Sequence, residues 1–429
     1  MQYNNTIIDS RLQDKKRLSD QLNICLLSYR GNPTCGGQGV YIKRISRALR
    51  DLGHRVDVVS GPPYPQLDED ITLHRLPSLN LYNPDDLFRV PKLYELKSPV
   101  NLLEWLGVSS GGFPEPLTFG FRAYKFLCNK RGCYNIVHDN QSLSYGVLRT
   151  KNLGLPIIAT IHHPITVDRD VEIQAQNIWW KKLKAWRWYS FLGMQAKVSR
   201  RLSHIITVSE RSKLDISKAF NIPPDRFRVV PNGINTDIFR PLPDIKREKN
   251  HILVTNSADT PLKGLRYLLE AVASICKKRD IKLTVIGKPK ENGEIARLVR
   301  DLSIGDIVKF TGRISDEDFA TYYAQATIAV VPSIYEGFGL PAGEAMACGV
   351  PVISTTGGAL PEVVGNAGVL VPPADANALE KAILSLLDNP DRCQELGKAG
   401  YERALKHFTW RRAAEKTIQV YKEAMNANC

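Results

Sequence analysis

Twice in this chain a short apolar run leads through a glycine-bearing loop and an amphipathic stretch to a second apolar run. The first copy is NICLLSY, RGNPTCGGQG, VYIKRISRALRDLG and HRVDVVSG, from Asn23 to Gly61. The second is HILVTNSA, DTPLKG, LRYLLEAVASICKK and IKLTVIG, from His251 to Gly287. Strands joined by a helical crossover run parallel, and continuous Val/Ile/Leu runs belong to strands covered on both faces. Further runs fit the same sheets: YNIVHDN, LPIIATIHH and SHIITVSE after the first copy, and IVKFTGR, ATIAVVPS, GVPVIST and AGVLVPP after the second. The pattern predicts an α/β chain of two Rossmann-like domains, each a doubly wound parallel sheet, with ligand in a cleft at the carboxyl ends of the strands. The proline- and charge-rich FRPLPDIKREKN (Phe239 to Asn250) reads as the linker. The expected divisions are a polar tail over 1–21, an N-terminal domain over 22–240, a C-terminal domain over 250–410 and a last helix over about 411–429 crossing back to the N-terminal domain.

The chain's 429 residues allow two such domains, and 43% hydrophobic with 24% charged residues is a globular composition. No apolar run approaches the roughly 18 residues of a membrane span. MQYNNTIIDSRLQDKKRLSDQ lacks the apolar core of a secretory signal, which predicts a cytoplasmic protein. The cysteines (Cys25, Cys35, Cys128, Cys133, Cys276, Cys348, Cys393 and Cys429) form no Cys-x-x-Cys pair and are expected as free thiols. Lys and Arg exceed Asp and Glu by 58 − 44 = 14, which favours an anionic partner: nucleic acid, an anionic membrane surface or a phosphorylated ligand.

One segment narrows that choice. YEGFGLPAGEAMACGVPVIST (Tyr335 to Thr355) holds Glu336 and Glu344 around three glycines. Pro341 suits the first turn of a helix and Cys348-Gly349 its end, so GFGL leads into a helix N-terminus. Free N–H groups and the helix dipole attract a phosphate there, and glycine lets the backbone approach it. The two carboxylates repel phosphate but accept hydrogen bonds from sugar hydroxyls. A phosphate between two hydroxyl-bearing groups describes a nucleotide-sugar.

With GGALPEVVG (Gly357 to Gly365), this block resembles the signature of the retaining family-4 glycosyltransferases of the GT-B fold, and the likeness runs from about Asn23 to Tyr421. The resemblance implies a role for each matching residue. Glu336 would meet hydroxyls of the donor sugar and Glu344 the ribose. Gly337, Phe338, Gly339 and Leu340 would meet the diphosphate and sugar, and Lys263, in Lys263-Gly264, would neutralise the diphosphate. The family's usual arginine six positions before that lysine is Ser257 here, which carries no charge; Lys288 and Arg313 are candidate substitutes. Gly36, Gly37 and Gly39 match the family's N-terminal glycine loop, His162 its histidine near the reacting sugar, and Asn232-Gly233 a turn facing the nucleotide. Asn140 ends a strand on the acceptor side. The implied reaction moves a sugar to an acceptor hydroxyl with retention, assigning catalytic roles to His162, Lys263 and Glu336. No cofactor, no metal and no nucleic-acid partner are expected.

IWWKKLKAWRWYSFLGMQAKVSRRL (Ile178 to Leu202) holds four of the six tryptophans. Trp179, Trp180 and Trp186 interleave with lysines, as in helices lying on an anionic membrane, which makes a lipid-linked acceptor and a peripheral membrane location candidates. The opposing reading is a helix packed on both sides. Competing functions are a sugar-nucleotide epimerase or phosphorylase of the same fold, and a non-catalytic membrane- or nucleic-acid-binding relative.

Overall fold

The structure, a computed structural model, describes residues 21–32, 37–83, 86, 89–176, 178–256 and 259–427. The chain divides into two compact units. One holds the chain up to Thr207, Lys213–Val230 and Ala414 onward; the other holds Val208–Ser212 and Pro231–Ala413.

The first unit is built on a seven-stranded parallel sheet in the order β3-β2-β1-β4-β5-β6-β7. Its strands are β1 (Asn23–Ser28), β2 (Arg55–Ser60), β3 (Thr72–Arg75), β4 (Ile136–Asn140), β5 (Ile157–Ile161), β6 (Ile205–Thr207) and β7 (Phe227–Val229). The central strands are buried on both faces, as the apolar runs of β1 and β5 require; β4 buries His138, Asp139 and Asn140 as well. The edge strands β3 and β7 are only four and three residues long and mixed in polarity, so their sequences carry little strand signal. Within this unit the last helix (Trp410–Asn426) places Tyr421 Oη 2.7 Å from His138 Nδ1 of β4.

The first helix spans Gly37–Asp51, beginning three residues before the Val40 start expected from apolar spacing. Gly39 makes that early turn feasible: a Cβ there would stand 1.9 Å from the carbonyl oxygen of Asn32. SHIITVSE is likewise shorter as a strand than its apolar run suggests, because only Ile205–Thr207 pair and Val208–Ser212 belong to the second unit.

The second unit carries a six-stranded parallel sheet in the order β10-β9-β8-β11-β12-β13. Its strands are β8 (His251–Thr255), β9 (Lys282–Ile286), β10 (Val308–Phe310), β11 (Ile328–Val331), β12 (Val352–Thr355) and β13 (Val369–Val371). Leu265, Leu268, Leu269 and Val272, on one face of the helix Leu265–Ile275, bury against this sheet. Each sheet reverses its strand order once, between β1 and β4 and between β8 and β11. At such a reversal the crossovers leave on opposite faces and open a crevice beyond the strand ends.

Candidate active site

In the second unit the crevice beyond β8 and β11 gathers the residues singled out by sequence. Lys263 ends the loop after β8, and Glu336 lies five residues beyond the end of β11. Lys263 Nζ donates to Glu336 Oε1 at 2.7 Å, and Ser333 Oγ donates to the same oxygen at 2.8 Å. The carboxylate is nearly buried and the ammonium about a third exposed. The two loops are bound through their backbones as well. Ile334 N donates to Leu262 O at 2.8 Å, and Asn256 Nδ2 donates to Lys263 O at 3.0 Å. Gly264 has φ +64°, and a Cβ there would lie 2.0 Å from Pro332 O. The glycine of the Lys-Gly pair is therefore what brings the lysine against β11.

Glu336 is also held from β12. Ala359 N donates to Glu336 O at 2.9 Å, and at Gly358 (φ +64°) a Cβ would meet Glu336 O at 2.2 Å. The helix Leu340–Ala347 begins directly after Gly339, which has φ +102°, and has Pro341 in its first turn, as expected from the sequence. No side chain caps its N-terminus; Ala342 N and Gly343 N donate to Gly339 O at 3.1 and 3.3 Å and Pro341 has no N–H, which leaves the Leu340 amide and the helix dipole facing a ligand. Glu344 lies half-buried one turn along this helix. Burial, and then the Glu344 charge, push the Tyr323 phenol well above its ordinary range. Phe338 turns its ring inward onto Phe408, 5.6 Å between centroids, so only its backbone remains for a ligand.

Lys288 and Arg313 follow β9 and β10, on the same edge of the sheet as Lys263, and both are exposed. Gly36 and Ser257 lie outside the described residues. Asn232 lies in an irregular segment, not in the turn expected for Asn232-Gly233, because Gly233 packs against the backbone of Trp410. Among the described residues, Asn232 Oδ1 and Asn256 Oδ1 are buried without a hydrogen-bond partner. Spacing gave no sign of Ser333 or Asn256, and the GGALPEVVG block contains Gly358 without revealing its packing on Glu336; the three act from separate strand ends. Nor did spacing signal Ser209 and Ser212, whose hydroxyls donate to Gly337 O at 2.7 and 2.9 Å and hold the glycine loop.

In the first unit, β4 and β5 bring Asn140 and His162 together. Asn140 Oδ1 lies 2.8 Å from His162 Nε2; the oxygen can only accept, so Nε2 carries the proton. The His162 amide donates to Gln141 Oε1 at 2.9 Å, and the edge of Tyr41 meets the imidazole at 4.6 Å. Burial, and then His163, lower the His162 pKa to about 3, so the ring is neutral near pH 7. Asn140 Nδ2 is buried without a partner among the described residues, leaving a donor beside His162. Gly37 opens the glycine-loop helix, next to Gly39 in its first turn.

The tryptophan helix spans Trp179–Trp188. Trp179 is 75% exposed, Trp180 50% and Trp186 53%, with Leu183 exposed beside them. Trp188 points the other way, stacking on Phe113 at 5.1 Å and meeting Tyr82 edge-on at 5.2 Å. The Trp188 side is packed inward, while on the other side the half-exposed Trp186 carries the Arg169 guanidinium 4.9 Å from its ring centroid. Among the described residues, no group of three or more His, Cys, Asp or Glu is placed to hold a metal ion, and no helix is long and apolar enough to cross a membrane.

Two Rossmann-like domains, with a lysine, a glutamate and a glycine-led helix N-terminus at one strand reversal, define the glycosyltransferases of the GT-B class. Comparison with known proteins agrees. Residues 35–238 match the family described as Glycosyltransferase Family 4, and residues 240–403 match Glycosyl transferases group 1. The chain is 45% identical to the MMP alpha-(1->4)-mannosyltransferase of Mycolicibacterium hassiacum, over 94% of this chain and 98% of that protein. It is 32% identical to the O-antigen chain mannosyltransferase B of Escherichia coli, over 51% of this chain and 60% of that one. Among solved structures, sucrose-phosphate synthase from Thermosynechococcus elongatus superposes with a TM-score of 0.74 at 27% identity, covering 95% of this chain and all of that one. The chain belongs to the family-4 glycosyltransferases, enzymes that transfer a sugar from a nucleotide-sugar to an acceptor.

Proposed function

We propose that this chain transfers a mannosyl unit from a nucleoside-diphosphate mannose to a hydroxyl of a saccharide acceptor, with retention at the anomeric carbon and without a metal ion. The observation that carries the reading is the Lys263–Glu336 pair at the β8/β11 reversal, beside the uncapped helix N-terminus at Gly339. Lys263 supplies a positive charge for the diphosphate and Glu336 an acceptor for sugar hydroxyls. Glu344, one turn into the helix, suits the ribose. The 45% identity to a mannosyltransferase over nearly the whole chain supports the choice of sugar.

In the reaction the bond between the anomeric carbon and the phosphate oxygen breaks. The acceptor oxygen bonds to that carbon on the same face, and its proton passes to the departing phosphate. What the chain supplies is positioning and charge. Lys263 and the helix N-terminus stabilise the negative charge that grows on the diphosphate. Neutral His162 and the unpaired Asn140 Nδ2 bind hydroxyls rather than exchange protons near pH 7. With that counter-charge built from the chain, a metal ion is not needed.

Release of GDP from GDP-mannose in the presence of α-(1→4)-linked mannosides tests the reading, with product configuration read by NMR. Acceptor-dependent release, an α-linked product and an unchanged rate in chelator are expected. A β-linked product would overturn retention, and loss of activity in chelator would overturn metal independence. Conversion of GDP-mannose to an epimer without any acceptor product, or a strict need for inorganic phosphate, would favour an epimerase or phosphorylase.

A second reading concerns the outer face of the tryptophan helix. Trp179, Leu183 and Trp186 are exposed there beside Lys182, which suits an anionic membrane surface. Flotation with anionic vesicles separates the possibilities: co-flotation of the native chain, lost in Trp179→Ser/Trp186→Ser, supports docking. Equal partitioning of both proteins ends it.

A further inference from the structure

The inner edge of the tryptophan helix borders a hollow of about 320 Å³ in the first unit, separate from the outer face just described. The hollow lies between this helix and the preceding one (Thr166–Ala175), and is lined by Trp180, Trp188, Glu172, Gln176, Lys181 and Lys184. Its volume falls within the roughly 300–1,000 Å³ of small-molecule sites. We propose that it is a distal acceptor subsite, binding a sugar unit of an oligosaccharide chain remote from the end that reacts. The inference rests on the saccharide-acceptor reading above and assigns where the rest of that acceptor lies.

The chemistry of the lining selects a sugar. A pyranose ring has an apolar C–H face and a rim of hydroxyls that both donate and accept. The hollow offers indole surface for the first and a mixed set of polar groups for the second: the Glu172 carboxylate accepts, Lys181 and Lys184 donate, and Gln176 does both. Trp188 is held rigid by Phe113 and Tyr82, and so presents a preformed surface. Trp180 is half exposed, with Lys181 Nζ 5.7 Å from its ring centroid. Glu172 is oriented by Tyr189, whose hydroxyl donates to Oε2 at 2.8 Å, and a carboxylate so engaged retains further acceptor positions. A lipid tail would leave the remaining acceptor positions of Glu172 and the donors of both lysines unused.

The position of the hollow fits a chain rather than a single sugar. His162 and His163 end β5, and His163 Nε2 lies 2.9 Å from Asp168 Oδ2, which ties the first turn of the helix Thr166–Ala175 to that strand end. At about 1.5 Å per residue, Glu172 lies about 6 Å and Gln176 about 12 Å along the chain from Asp168, and both border the hollow. One helix thus connects the histidine assigned to the reacting end with the hollow.

The test is direct binding, followed by saturation-transfer NMR on the full chain without donor, using α-(1→4)-linked mannotetraose and maltotetraose as probes and methyl α-mannoside as the short control. At least one tetrasaccharide is expected to bind at least tenfold more tightly than the monosaccharide. Trp180→Ala and Glu172→Ala, at exposed positions, are each expected to weaken tetrasaccharide binding at least fivefold while the monosaccharide is unaffected. Trp179→Ala/Trp186→Ala on the outer face is expected to bind as the native chain does. Failure of both tetrasaccharides to bind the native chain, or equal binding by Trp180→Ala, would overturn the subsite. Because no donor or turnover is involved, this outcome is distinguishable from failure of the mannosyl-transfer reading, which GDP release reports.

Discussion

Lys263 and Glu336, 73 residues apart in the chain, form an ion pair of 2.7 Å at the point where the second sheet reverses its strand order. The proposed function gives each a separate ligand, the diphosphate for Lys263 and sugar hydroxyls for Glu336. Their pairing means that donor binding has to redistribute a hydrogen bond already made. Two variants separate the roles. Lys263→Ala is expected to lower kcat by about 100- to 1000-fold, the scale on which loss of one charge-stabilising group slows transfer. Glu336→Gln removes the carboxylate that holds the ammonium, and should bind GDP several-fold more tightly while transferring mannose more slowly. Calorimetric titration of GDP checks this, and weaker GDP binding by Glu336→Gln would refute it.

The glycines around Glu336 give a second prediction. Gly358→Ala adds a Cβ 2.2 Å from Glu336 O at a φ of +64°, whereas Gly111→Ala meets nothing within 4 Å at +77°. Both bear backbone strain of about 1–3 kcal/mol. Only Gly358→Ala should also displace Glu336, so its residual activity is expected to fall at least tenfold while Gly111→Ala keeps native rates. Thermal unfolding and initial rates measured on both variants make the comparison.

His138 predicts a pH effect on stability. It is buried between Thr160 Oγ1 at 2.6 Å and Tyr421 Oη at 2.7 Å. Burial, and then the neighbouring His162, lower its pKa to about 3, against 6.5 for a free imidazole. The unfolded chain therefore binds a proton in this range that the folded chain does not. The contribution is fully present above pH 6.5 and is lost as pH falls toward 3, by up to about 1.4 kcal/mol per unit. His138→Gln should be less stable than the native chain at pH 7.5, and the difference should shrink by pH 5. Urea unfolding at the two values measures it, and a constant difference would count against the assignment.

A fourth prediction comes from Glu104, wholly buried in the helix Pro99–Ser109. Its Oε2 lies 2.6 Å from Arg122 Nη2, and its Oε1 accepts from Leu79 N at 3.0 Å. Glu104→Ala leaves the guanidinium without its counter-ion, held by Asn101 Oδ1 at 2.7 Å, and the Leu79 amide unpaired, and should destabilise the chain by about 3–5 kcal/mol. Glu104→Ala with Arg122→Leu should recover part of that loss in a double-mutant cycle.

This helix also marks where sequence reasoning stops. Leu102, Leu103 and Leu106 are exposed while Glu104 is inside, the reverse of what polarity suggests. Arg122 on another helix and the amide of Leu79 make that inversion feasible, and neither neighbour is legible from PVNLLEWLGVS. The tryptophan helix divides in the same way. Its spacing puts Trp188 opposite Trp179, but only Phe113 and Tyr82 determine that the Trp188 side faces inward.

By itself the sequence determined what local chemistry encodes: two parallel-sheet units, a helix beginning at the GFGL loop, two carboxylates around that glycine loop and a Lys263-Gly264 pair. Apolar periodicity, proline at a helix start and glycine at positive φ act within a few residues, so they survive in the linear pattern. Tertiary structure alone decided that β8 lies against β11 and β4 against β5. Strand order is set by packing between segments far apart in the chain, and no local pattern records it. That order brings Lys263 and Ser333 onto one oxygen of Glu336, and Asn140 onto His162.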